Sequence, residues 1–202
     1  MGTHEEISEV IVWHNEIDDF DYDLAVDWAM GCLVRDIETE NVLILASFSK
    51  PVSKYEIKPY VTASINELGL EEKYGDGAAI AHIHFYLQQI VRGDSVRQNL
   101  NIIYDECYNL NFKYDLSTFF DLQLEWDDLE DNGHNYIYES ITINNIEEIV
   151  IDQAKKWILK HIKGDQSVKL LSQLLTGNSF NKLKVTQEKN FWSRVKDFFN
   201  QN

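Results

Sequence analysis

Two acid-rich stretches carry the side chains best suited to chemistry. Residues 125–140 read EWDDLEDNGHNYIYES and place five acids in their first seven positions, just ahead of an Asn-Gly pair. A calcium loop needs six or more oxygen ligands wrapped around a glycine turn. Counted from Asp128, the candidate ligands Glu130, Asn132 and Glu139 fall in loop register, with Gly133 at the turn. Against that reading, Glu130 is longer than the usual ligand, Asn135 takes an apolar position, and the exit segment lacks a helical pattern. The alternative is a helix closed by Asn132 or Gly133 and followed by an extended segment.

The second stretch, DDFDYD at 18–23, fails the loop test, because Leu24 stands where the turn glycine belongs and Met30 where the last ligand belongs. With Asp27, these acids sit at a helix start, where the macrodipole favours negative charge. Capping uses one or two of them, which leaves a surplus for solvent or for a basic partner. Asp18, Asp19, Asp21, Asp23 and Asp27, together with Glu125, Asp127, Asp128, Glu130 and Asp131, are therefore the candidate partner-binding residues.

His82 and His84 resemble a chelate as text, but two positions apart on a helix they point about 200° from each other. A hydrogen-bonded core histidine is the better reading. Cys32 and Cys107 lie far apart in apolar helical patterns, as buried free thiols do. No nucleophile elbow, phosphate loop or zinc spacing occurs, so no catalytic residue, metal or cofactor is assigned. A small enzyme or calcium-responsive protein using residues 128–139 stays open as an alternative.

These residues must be positioned by helices. Apolar spacing and cap residues predict helices beginning near His4, at Asp21 or Asp23, in the run 41–48, and at a Ser53/Glu56 capping box. Pro59 predicts an offset start or a kink in the last of these. Further helices are expected over 76–92, 95–110, 115–129, from Asn144 or Asn145 to Ile162, over 167–175 and over 186–199. The expected fold is all-α, a single-domain irregular bundle or array of about eight to ten helices across 1–202, with one extended segment near 136–143. Within the basic end, Phe191, Trp192, Val195, Phe198 and Phe199 share one helical face, so 186–202 is expected to be an amphipathic helix docked on the body.

Charge is polarised along the 202 residues. Residues 1–150 hold 8 Lys/Arg against 30 Asp/Glu, a net of −22, and residues 151–202 hold 10 against 4, a net of +6. Such a body repels nucleic acid and anionic lipid and draws basic proteins at long range. No stretch has the roughly 18 apolar residues of a membrane span, and the first ten lack a secretory signal, so a cytoplasmic location is expected.

The segments DLAVDWAMGCL, VLILASFSKP and LEWDDLEDN resemble small acidic helical bacterial proteins, including immunity proteins of polymorphic toxins, in overall style across about residues 20–150. That resemblance implies a module that neutralises a basic partner, a cognate toxin domain, by covering its active surface. Trp28 and Trp126 are candidate anchors if exposed. A scaffold or adaptor docking through its C-terminal helix is the remaining alternative.

Overall fold

A computed structural model describes residues 2–134, 136–138 and 140–161. Among them are eight helices and no strand: α1 (His4–Ile11), α2 (Asp23–Val34), α3 (Glu40–Ala46), α4 (Lys54–Glu67), α5 (Gly77–Arg92), α6 (Val96–Asn109), α7 (Ser117–Asn132) and α8 (Ile146–His161). The expected helices 167–175 and 186–199 lie outside the described residues. None of the described helices is long and apolar enough to cross a membrane.

Helices α5 to α8 close a ring, α5 on α6, α6 on α7, α7 on α8 and α8 back on α5. Short links make neighbours antiparallel. His82 near the start of α5 reaches Glu106 near the end of α6, and Arg97 at the start of α6 reaches Asp127 near the end of α7. Helices α1 to α4 extend from this ring as a chain of pairs, attached where α1 packs on α5.

Local chemistry sets most boundaries. Thr3 accepts the Glu6 amide at 3.3 Å while Glu6 accepts the Thr3 amide at 2.8 Å, a complete capping box that starts α1. Beyond Ile11 the chain tightens into i→i+3 turns, with Trp13 N–H on Val10 O and His14 N–H on Ile11 O at 3.0 Å. These turns carry His14 into the core, so α1 is shorter than its apolar stripe suggests. Asp21 accepts the Asp23 amide at 3.0 Å where α2 begins.

The Ser53/Glu56 box does not form. Ser53 is the N-cap of α4 but makes no side-chain cap bond, and the Glu56 amide bonds the Ser53 carbonyl instead. Pro59 sits inside α4, where its missing N–H frees the carbonyl of Tyr55 on an exposed turn. The expected extended segment near 136–143 is absent among the described residues, where Ile141 N–H closes a turn on Tyr138 O at 3.0 Å. A lone strand has no partner for its backbone groups in an all-helical surround.

One cluster of buried side chains runs through both halves. Trp28, Phe119, Ile11, Leu45, Ile83, Leu87 and Ile103 are among its fully buried members. Trp28 and Trp126 both belong to it and are not exposed anchors. Cys32 and Cys107 are buried and free, and burial pushes the Cys107 thiol up to about 12. His82 is a core residue, its Nδ1 3.2 Å from Glu106 and its ring edge-on to Tyr86, while its Nε2 is buried without a partner.

Two further histidines make the fold pH-sensitive. Burial holds the His84 imidazole down at about 4, with Glu6 opposing, and lowers that of His14, with Glu72 opposing. Above about 6.5 both rings are neutral in the folded and unfolded chain, so neither contributes a slope. Between about 6.5 and 4 the unfolded chain gains protons that the folded chain refuses, and stability falls as pH falls. Urea unfolding across this window should show that loss, and His84→Gln should flatten it; a variant with the wild-type slope would remove His84 as the cause.

Candidate functional site

The structure separates the two acidic clusters. The first lies at the start of α2 and the second on α7, in different halves of the molecule with no packing interface between the two helices. Much of each cluster is spent on internal contacts. Asp23 accepts the Val52 amide at 2.9 Å and Asp27 pairs with Lys50, so both fasten the connection between α3 and α4. Lys54 donates to the carbonyl of Asp18 at 3.0 Å. Of the first cluster Asp18, Asp19 and Asp21 are exposed, although burial raises the Asp21 carboxyl above its ordinary range.

On α7 the acid-rich stretch divides in the same way. Glu125 is 0% exposed, and one of its oxygens accepts the Ile137 amide, tying the α7–α8 connection to the helix. A partner cannot touch it in this state. Asp127 pairs with Arg97, and Glu130 approaches the same guanidinium at 3.9 Å. Arg97 also stacks over Trp126, 5.3 Å from its ring centre. Asp131 and Glu130 are exposed and Asp128 is half-buried.

The calcium reading fails on geometry. Helix α7 runs to Asn132 before Gly133 turns left-handed at φ 73°, so Asp128, Glu130 and Asn132 are helical residues and not loop ligands. Asp128 and Glu130 therefore project about 200° apart, and Asn132 donates to Asp128 at 3.3 Å. Glu139 lies outside the described residues. No group of three His, Cys, Asp or Glu among the described residues is placed to hold a metal ion.

The surface with the clearest binding chemistry was not singled out by the acid runs. On the outer face of the α6–α7 hairpin, Tyr104, Tyr108, Phe112 and Phe120 form a four-ring cluster. Tyr104 stacks on Phe120 at 4.8 Å, and Tyr108 and Phe112 meet Phe120 edge-on at 5.3 and 5.2 Å. Tyr108 is 56% exposed and Phe112 42%. The Tyr104 phenol is pushed up to about 12, first by its hydrogen bond to Tyr108, then by burial and by the charges of Tyr108, Asp127 and Asp105.

An unusual connection holds Phe112 in place. Between α6 and α7, Asn111, Phe112, Tyr114 and Asp115 all adopt left-handed backbone, with φ of 50°, 57°, 60° and 57°. Each costs of the order of 1 kcal/mol for a residue with a Cβ, so the surroundings must impose the shape. Phe112 N–H bonds Cys107 O at 2.8 Å, and Trp157 Nε1 donates to Tyr114 O at 2.7 Å. Lys160 and His161 close on Asp115 at 2.8 and 3.2 Å, and Lys160 holds that carboxyl below its ordinary range.

Beside this connection lies an open groove of about 420 Å³ lined by Glu16, Asp76, Asn109, Asn111, Lys113 and Tyr114, among others. None of the buried polar atoms left without a partner belongs to its lining. It offers no convergent donor set for a small molecule. Comparison with protein-family models, with curated proteins and with solved structures finds no match.

The cost of presenting Phe112 can be measured. Phe112→Gly should be more stable to urea than Phe112→Ala by about 1 kcal/mol, because only glycine adopts this backbone without strain. Equal stability of the two variants would show that the connection carries no strain at this position.

Proposed function

We propose that this chain is a protein-binding module that engages a basic partner through the outer face of the α6–α7 hairpin. The observation that carries the reading is the four-ring cluster, with Tyr108 and Phe112 open to solvent. Exposed aromatic side chains are the commonest anchors of protein interfaces. Their faces also attract guanidinium and ammonium groups.

Long-range charge favours the same class of partner. Residues 1–161 hold eleven Lys/Arg against thirty-one Asp/Glu, a net of −20. That field accelerates the approach of a cationic protein even where individual carboxylates are paired, because pairing leaves the excess uncancelled. The resemblance of residues 20–150 to immunity proteins makes a toxin domain the biological partner of this proposal. Neutralisation then works by occlusion of the toxin's active surface, with no bond made or broken.

The exposed acids Asp18, Asp19 and Asp21, on the far half of the molecule, supply field and not contact. Glu130 and Asp131 lie at the other end of α7 from Phe120. This assignment moves the contact centre from the carboxylates to the rings.

An arginine- and lysine-rich synthetic peptide provides the probe. Tyr108→Ala and Phe112→Ala should each weaken its binding by about ten-fold or more by calorimetry, as removal of interface anchors does. Asp105→Asn should mainly slow association, and added salt should slow it further in the wild type. Undiminished affinity in the Tyr108→Ala/Phe112→Ala double variant, with its helical circular dichroism intact, would sink the proposal.

A further inference from the structure

Asn132 and Gly133 form the one Asn-Gly pair in the 202 residues, and they close α7. Both are exposed. In such a pair the glycine's peptide nitrogen is a nucleophile for the side-chain carbonyl carbon of the asparagine, and glycine puts no Cβ in the way of that approach. A Cβ built on Gly133 would meet nothing within 4 Å, so the surroundings leave the approach open as well.

The fold prepares both partners of the reaction. At the end of α5 the amide of Gly93 bonds Ile90 O at 2.9 Å, and at the end of α6 that of Leu110 bonds Glu106 O at 2.9 Å. Among the described residues no acceptor takes the Gly133 N–H. Asn132 O, for its part, is one of the last carbonyls of α7, which lack an intrahelical donor. His134 supplies one, with its Nδ1 2.9 Å from that oxygen. A carbonyl only accepts, so Nδ1 carries the proton, and Nε2 accepts from the Tyr136 hydroxyl at 2.8 Å. When Gly133 N loses its proton, negative charge spreads through the planar peptide onto Asn132 O. The His134 N–H is already aimed at the atom where that charge develops, as an oxyanion donor is.

We infer that Asn132 is a site of self-modification, in which His134 promotes ring closure by Gly133 N on Asn132 Cγ. Water or hydroxide removes the Gly133 amide proton and the N–Cγ bond forms. The Cγ–Nδ2 bond then breaks, and Nδ2 departs as ammonia with a proton taken from water. The cyclic imide adds one water at either of its carbonyls and opens to aspartate or to isoaspartate. A neutral amide is thereby exchanged for a carboxylate at the C-terminal end of α7, where the macrodipole is negative and Glu130 and Asp131 are close in sequence. The exchange also removes the Asn132 Nδ2 donor that Asp128 accepts at 3.3 Å. The last turn of α7 loses a hydrogen bond and gains repulsion, so the start of the α7–α8 connection loosens as the molecule ages.

The test holds the folded full chain at mildly alkaline pH and physiological temperature and follows every asparagine by peptide mapping, with isoaspartate assigned by electron-transfer fragmentation. Asn132 should convert fastest of all, and His134→Phe and His134→Ala should each slow it several-fold while helical circular dichroism is kept. In urea, where the His134 contact is gone, wild type and variants should convert at equal rates. Asn132→Asp, which carries the product's charge, should unfold at lower urea than wild type. Conversion that is absent at Asn132, or no faster there than at other asparagines, overturns the inference. An undiminished rate in both His134 variants, or a difference of the same size in urea, removes His134 from the reaction, and an unchanged urea midpoint in Asn132→Asp removes the loosening.

Discussion

Helix α5 must be enclosed, and that requirement organises the molecule. Its residues from His82 to Val91 are buried almost without interruption, with His84 only partly covered. A helix buried nearly all round, its polar His82, Gln88 and Gln89 included, needs neighbours on every side. Helix α1 supplies one side, and α6 and α8 supply the others. The consequence is a molecule with two flanks, α1 to α4 on one and α6 to α8 on the other. Acids that lie on α2 and α7 are held on separate flanks by this core, so they cannot merge into one contact surface.

Helical content was largely legible because its signals are local. The apolar run 41–48 did prove helical, Gly69 and Gly93 stop α4 and α5 in left-handed conformation, and Cys32 and Cys107 are buried thiols. Signals that depend on a competing partner misled. Ser53 and Glu56 have the spacing of a capping box, yet backbone bonding satisfied the turn first. The calcium-like register of Asp128, Glu130 and Asn132 required the helix to end near Leu129; it runs on until Gly133. The segment after it reads as extended from its aromatic and β-branched residues, but Glu125 captures the Ile137 amide and Ile141 turns inward.

The aromatic face was illegible for a different reason. Tyr104 and Tyr108 are four residues apart and visibly share one side of α6, but Phe112 and Phe120 join them only when α7 folds back antiparallel. Reading that required knowing which faces of two helices meet. The charge count misled in a complementary way. It gave the sign of the field correctly, while Lys50 and Arg97 had already been paired with Asp27 and Asp127 by folding, and Lys54 bonds only the backbone carbonyl of Asp18.

Two costs coincide at the α6–α7 connection, and their coincidence is informative. Four consecutive or near-consecutive residues with side chains take left-handed backbone, and one of them, Phe112, is then left 42% exposed. A connection selected for stability alone would place glycine at such positions and turn a phenylalanine inward. Here the opposite arrangement is held from outside the hairpin by the Trp157 indole, which donates to Tyr114 O, with Lys160 and His161 closing on Asp115. Because those groups lie in the last turn of α8, the shape of the aromatic face is coupled to the point from which the basic end departs.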